Sequence, residues 1–131
     1  MLEIRCQTRF ETKTVVSKVQ RANIENLGHA GAAIRLTARR SIRRSKRYAA
    51  EGSPPHTRRG QLKGAIAYAV ERREEQVVIG PEASKVGASG SAHEYGGKYK
   101  RQRYAKRPFM GPALTKMQPR LPKVWAGSVR S

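Results

Sequence analysis

Apolar residues recur at helical spacing over residues 13–49, and this repeat is the clearest pattern in the chain. When the residues are projected at about 100° each, apolar and small side chains fall on one narrow face and cations cover the rest. The pattern predicts one long amphipathic helix, or two helices joined near residues 28–31, where glycine lowers helix propensity. The narrow face consists of Val16, Val19, Asn23, Leu27, Ala30, Ile34, Ala38, Ser41, Ser45 and Tyr48.

Two other stretches alternate apolar and polar side chains with the period of two that strands show. Residues 2–10 alternate over a short distance and predict a strand. Residues 64–80 predict a β-hairpin, because apolar side chains alternate with alanines before a charged turn at residues 72–75 and a second apolar run follows.

Glycine, proline and small polar residues fill two longer stretches and predict loops. The first covers residues about 50–60 and contains adjacent prolines. The second covers residues about 82–107: it begins with small residues typical of a flexible loop and ends with a strongly basic segment.

The carboxy-terminal part begins as a helix near Phe109, where a proline-fixed extended step precedes it. Pro119 and Pro122 disrupt a continuous helix, so residues about 119–131 predict a kink followed either by a second short helix or by a tail anchored by Trp125. The complete pattern predicts an α+β fold in a single domain over residues 1–131. A long amphipathic N-terminal helix and a C-terminal helix would pack on a small antiparallel sheet with long basic loops.

The charge of the chain changes this picture, because 28 Lys and Arg face only 9 acidic residues and the formal net charge is +19. All nine acids are Glu, and the single Cys6 and three scattered His form no recognisable catalytic or metal-binding constellation. We therefore expect no enzymatic activity, no metal and no cofactor. The positive charge indicates an anionic partner, either nucleic acid or an acidic protein. No apolar run approaches a membrane span, so we expect no membrane partner.

Two stretches concentrate the cations. The first places six cations within residues 39–47, and it fits a solvated helix end as well as a polyanion-binding patch. The second, residues 98–107, interleaves cations with Tyr99 and Tyr104, which is typical of a segment that contacts nucleic acid or meets an acidic neighbour. The candidate contact residues are Arg39, Arg40, Arg43, Arg44, Arg47, Lys100, Arg101, Arg103, Lys106 and Arg107.

Three motifs follow one another along the chain: P-P-H-T-R-R-G-Q-L at residues 54–62, H-E-Y-G-G at residues 93–97, and R-P-F-M-G-P-A-L at residues 107–114. In this order they resemble the head–tail joining and tail-completion family of long-tailed bacteriophages and prophages, which includes minor tail protein Z. The resemblance covers about residues 15–118, and the last motif is the most specific. The first motif departs from the family pattern, because Arg58 and Arg59 separate its threonine from its glycine.

The resemblance implies a structural virion protein that has no active site, lies at the head–tail junction and is assembled in the host cytoplasm. It also implies a homo-oligomer, commonly a sixfold ring, that contacts other neck or connector proteins and the tail tube protein. Double-stranded DNA passes through such a ring, and the surplus charge would meet DNA phosphates irrespective of sequence or match an acidic partner ring.

Within this picture, aromatic side chains are candidate interface anchors because buried aromatics carry much of the energy of an interface. Core packing is the alternative role, and for Phe109 we favour it. We expect the Glu94 carboxylate to form a structural ion pair with Arg103 or Arg107. The candidate interface and assembly residues are Tyr95, Phe109, Trp125 and Glu94.

A second hypothesis is a small basic nucleic-acid-binding module of ribosomal or packaging-associated type. Such a module binds free nucleic acid tightly near physiological ionic strength and loses affinity steeply as salt rises. A neck protein is instead expected to form its oligomer without DNA.

Overall fold

A computed structural model of the chain describes residues 13–128. The first helix, α1, is assigned over Leu2–Ser41, and its side chains are described from Lys13 onward. The strand predicted for residues 2–10 and the thiol of Cys6 therefore lie outside the described residues. The predicted α+β class is confirmed, since a long N-terminal helix and C-terminal helices accompany small antiparallel sheets.

Helix α1 continues without interruption through Gly28 and Gly31, so the one-helix alternative is correct. Its predicted narrow face forms the core in the second half of the helix, where Ala30, Ile34 and Ala38 are buried. The helix ends at Ser41 rather than at residue 49.

The early end of α1 has a tertiary cause. Ile42 is fully buried, and the chain then forms the strand β1 over Arg43–Arg44, which pairs in parallel with β2 over His56–Thr57. Ser45 and Tyr48, predicted on the helical face, lie beyond the helix. This outcome has no local signal, because no glycine or proline separates residues 41–51.

The predicted hairpin is confirmed. A short helix, α2, covers Gln61–Ala65 and leads into β3 over Ile66–Glu71, which pairs antiparallel with β4 over Gln76–Pro81. The hairpin packs on α1, and Arg35 Nε donates a hydrogen bond of 2.7 Å to the carbonyl of Ile66.

The second predicted loop, residues 82–107, is largely regular structure, so that prediction is wrong. It contains α3 over Ala83–Val86 and α4 over Ser89–Tyr95, followed by an antiparallel pair, β5 over Gly97–Tyr99 and β6 over Gln102–Tyr104. Neither helix was predicted, because alanine, serine and glycine do not produce the helical spacing of large apolar residues that indicates a helix.

The C-terminal part consists of α5 over Met110–Met117, a 3₁₀ turn over Gln118–Arg120, and α6 over Leu121–Trp125. The alternative of a second short helix is therefore confirmed by α6, and residues 119–125 are not part of a tail. Pro119 and Pro122 each occupy the first turn of a helical segment, where a missing N–H costs nothing.

The core lies where these helices meet α1 and the start of the hairpin. Phe109 and Ile66 are among the largest fully buried side chains of the described residues, and Phe109 is only 1% exposed. The core cluster consists of Ile34, Ala38, Ile42, Leu62, Ile66, Phe109 and Ala113. Its small residues allow α5 to approach α1 closely.

The contact between α1 and the hairpin leads to a matched pair of substitutions. A Cβ at Gly31 would lie 2.7 Å from Val77 Cγ2 and 2.8 Å from Tyr68 Cδ2, whereas one at Gly28 would lie 3.9 Å from Val70 Cγ2. We predict that Gly31→Ala lowers the free energy of unfolding by about 1–3 kcal/mol through overpacking. Gly28→Ala should instead raise it by up to about 1 kcal/mol through helix propensity. Urea denaturation measures both, and equal stability of the two variants would contradict this packing.

Candidate functional site

The second and third sequence motifs meet in space through one carboxylate. Glu94, in the last turn of α4, accepts three hydrogen bonds from backbone N–H groups at the start of α5. Its Oε2 accepts from Phe109 at 2.8 Å and Met110 at 2.9 Å, and its Oε1 accepts from Gly111 at 2.8 Å. The expected ion pair of Glu94 with Arg103 or Arg107 is therefore wrong.

This junction satisfies the N-terminus of α5 completely. A helix begins with N–H groups that lack partners within the helix. A negative charge at this end is also attracted by the positive end of the helix dipole. After the three donors bound by Glu94, the next residue is Pro112, which has no N–H, and Ala113 donates to the carbonyl of Phe109. Gly111 allows the close approach, because a Cβ there would lie 3.1 Å from Glu94 Oε1.

We predict that Glu94→Gln lowers the free energy of unfolding by about 1–2 kcal/mol, because the cap loses its charge and one of its acceptor oxygens. Urea denaturation measures the change. Glu82→Gln is the matched control: Glu82 forms a surface ion pair with Lys85 at 3.4 Å, and its loss should cost at most about 1 kcal/mol. Equal effects of the two substitutions would show that the junction has no special stabilising role.

An apolar groove of about 570 Å³ lies beside this junction, between α1, the β3–β4 hairpin, α4, α5 and α6. The two motifs form one wall of the groove through Glu94, Tyr95, Phe109, Met110, Gly111 and Leu114. No Lys or Arg lines it, although the chain as a whole carries a net charge of +19. The remaining lining residues are Leu27, Ala30, Ile34, Val77, Ile79, Gly80, Pro81, Gly90, Ser91, Leu121 and Trp125.

The predicted interface residues divide between the groove surface and the core. Tyr95 is 78% exposed at the groove and is free to contact a partner. Trp125 is half-buried, and its indole N–H donates a hydrogen bond of 2.9 Å to Asn23 Oδ1. Phe109 belongs to the core of the single chain, so its place among the interface anchors is corrected and its alternative core role is the observed one. Leu114 is 45% exposed and adds an apolar contact that the motif alone did not single out.

A second apolar surface lies on the first described turns of α1. Val15, Val16 and Val19 are between 44% and 53% exposed, and Val16 and Val19 continue the helix face that forms the core further along. Within residues 13–128 these valines remain about half exposed. A helix segment without packing is only marginally stable in water, so this surface favours contact with another chain.

The predicted basic residues do not form one patch. Arg43 and Arg44 are exposed on β1, and Arg40 is exposed at the end of α1. Lys100, Arg101 and Arg103 are exposed on the β5–β6 hairpin, whereas Arg39 is half-buried. Of the predicted residues, only Arg47 and Arg107, one from each basic stretch, line one shared cleft.

His93, in the second motif, lies under this cleft and packs edge-on against the Tyr104 ring, with centroids 4.9 Å apart. Burial lowers the pKa of the His93 imidazole below its usual 6.5, and the positive charge of Arg107 lowers that pKa further. The arrangement keeps the ring neutral near pH 7 and gives it a packing role.

Arg58 and Arg59 were not among the predicted contacts, although both line the same cleft as Arg47. A signal for them existed, since these two arginines are the residues that interrupt the first motif. Their position in space depends on the pairing of β1 with β2, which no local pattern indicates.

No group of three His, Cys, Asp or Glu side chains that could hold a metal occurs among the described residues. The helices of the described part include none with the length and apolar character needed to cross a membrane. Comparison with protein-family models, with curated proteins and with solved structures found no match to this chain.

Proposed function

We propose that this chain is a structural virion protein of a long-tailed phage, a ring-forming neck or tail-completion subunit that joins the tail to the head. Six copies of the chain associate with one another in a closed ring. Other neck or connector proteins and the tail tube protein contact the ring, and double-stranded DNA passes through it. The proposal assigns no catalytic residue, metal or cofactor.

One observation carries the proposal: the motifs that resemble the tail-completion family build the wall of an uncovered apolar groove. The hydrogen bonds from the start of α5 to the Glu94 carboxylate fix the backbone of that wall. Tyr95 and Leu114 present exposed surface to a partner. A ring subunit needs an interaction surface. Neighbouring copies in the ring bury the apolar side chains that do not fit into the small core of a single subunit.

The occupant of the groove is a second copy of the chain. Two subunits that each carry a net charge of +19 repel one another, so a stable contact must use surface without cations. The groove is such a surface. The exposed valines at residues 15–19 provide a different apolar patch on the same chain, and contact between two unlike patches produces closed rings when the rotation closes.

The alternative, a basic nucleic-acid-binding module, is favoured by the cationic cleft rather than by the groove. The two functions differ in what a deletion does. Removing the gene from the phage or prophage that encodes it should give filled heads and complete tails that remain separate in electron micrographs. Normal joined particles after the deletion would contradict the neck function and favour the alternative.

A further inference from the structure

A cleft of about 580 Å³ on another part of the molecule has the opposite character from the apolar groove. Three separate segments converge on it: the chain after β1, the chain after β2, and the chain after β6. They contribute five cations and no carboxylate, namely Lys46, Arg47, Arg58, Arg59 and Arg107. The parallel pairing of β1 with β2 brings the first two segments together.

The cleft is organised around the ring of Tyr48, which is 73% exposed. The guanidinium carbon of Arg58 lies 5.9 Å from the centroid of this ring, and that of Arg107 lies 6.0 Å from it. Both distances fall within the range of cation–π attraction. The ring therefore holds two like charges near one another, and its hydroxyl remains in reach of solvent or a ligand.

Arg107 is the most firmly held of the five cations. It is half-buried, its Nε donates a hydrogen bond of 2.7 Å to the carbonyl of Ala49, and its backbone N–H donates to the carbonyl of His93. On the opposite side, His56 Nδ1 lies 2.8 Å from the carbonyl of Arg47 and fixes that segment. The Arg107 guanidinium is thus positioned before any ligand arrives, which lowers the cost of ordering it on binding, whereas Lys46, Arg47, Arg58 and Arg59 are exposed.

No carboxylate neutralises this cluster. Within residues 13–128 the ion pairs are His29 with Glu25 and Lys85 with Glu82, and neither lies in the cleft. Like charges held together repel one another, and guanidinium groups bind phosphate oxygens through forked hydrogen bonds. The arrangement therefore suits an anion that carries several charged oxygens.

We propose that this cleft binds the phosphodiester backbone of double-stranded DNA without reading its sequence. Lysine and arginine side chains bind phosphate oxygens, and contacts to phosphates carry no sequence information. Arg58 and Arg59, which interrupt the first motif, are direct contacts, and Tyr48 holds the cations in place. This inference goes beyond the proposed ring and does not depend on it, because a single chain contains the whole cleft.

The chain offers a matched control for the test. Arg58 and Arg59 are adjacent, exposed arginines in the cleft, and Arg72 and Arg73 are adjacent, exposed arginines in the β3–β4 turn. Replacing either pair by glutamine removes two charges from the same net charge of +19. A difference between the two double variants therefore reports the position of the charges rather than their number.

The experiment measures the affinity of a short fluorescent DNA duplex by anisotropy between about 50 and 200 mM salt. Each phosphate contact contributes about 0.9 to the slope of log affinity against log salt, so Arg58→Gln/Arg59→Gln should reduce the slope by about 2. Its affinity at the lowest salt should fall by about tenfold or more. Arg72→Gln/Arg73→Gln should leave the slope and the affinity close to those of the wild type.

Equal losses in the two double variants, or no loss in the cleft variant, would overturn the proposal. Polyglutamate serves as a second probe: if its binding depends on Arg58 and Arg59 while duplex binding does not, the cleft is a site for acidic protein and the DNA assignment is wrong. The mass of each variant in solution is recorded with the binding data. Loss of DNA binding with an unchanged oligomer separates this inference from the ring proposal.

Discussion

Phe109→Ala should lower the free energy of unfolding by about 3–5 kcal/mol, the largest effect of any single substitution considered for this chain. The phenyl ring is 1% exposed and packs in the cluster that joins α1, α2, β3 and α5. Truncation removes its buried surface and leaves a cavity that the surrounding helices fill only partly. Because small domains are stable by only about 5–15 kcal/mol, this loss removes a large share of the stability and should lower the yield of soluble variant.

Tyr95→Ala is the control for an aromatic side chain in the neighbouring motif. Tyr95 is 78% exposed, so its truncation should change the unfolding free energy by no more than about 0.5 kcal/mol. Urea denaturation of both variants measures the difference. A soluble Phe109→Ala protein that unfolds like the wild type would remove this residue from the core.

Leu114→Glu should leave the fold intact and abolish association between copies. Leu114 is 45% exposed on α5 and lines the groove, so a carboxylate there is tolerated in the free chain but is buried without a partner when a second copy covers it. An unpaired buried charge costs about 3 kcal/mol or more. That cost weakens each contact by about a hundredfold or more, and a ring loses several such contacts together.

Val78→Glu is the matched control, because Val78 is 52% exposed on the hairpin and lies outside the groove lining. Light scattering after size-exclusion chromatography measures the mass of both variants, and circular dichroism checks their helix content. An oligomer that survives Leu114→Glu but dissociates on Val78→Glu would place the subunit interface on the opposite face of the hairpin.

The fold elements with a strong local period were predictable from the sequence. The apolar repeat of α1 and the alternation around Tyr68 both appear in the structure. The end of α1 was not predictable, since it depends on Ile42 entering the core and on a pairing with residues 56–57. Helix α4 was not predictable, because its small residues lack apolar side chains at helical spacing and its last turn is fixed by hydrogen bonds to α5.

The candidate site was predictable only in part. The motifs pointed to Glu94 and Phe109. Local sequence did not show that Glu94 caps α5, the helix that begins directly after Phe109. The basic stretches pointed to Arg47 and Arg107 but equally to residues that lie elsewhere on the surface. The segments around residues 47, 58 and 107 converge only in the folded chain, so the number of charges in each stretch does not predict that they share a cleft.

The central claim is that each copy of this chain covers the apolar groove of the next copy with a different surface, so that the copies form a ring. The most direct measurement is the mass of the purified, nuclease-treated protein by light scattering at low and high salt. The account predicts a discrete oligomer of ring size at both salt concentrations, because apolar contacts persist when charges are screened. A monomer at both concentrations, or an oligomer that disappears when nucleic acid is removed, would contradict it.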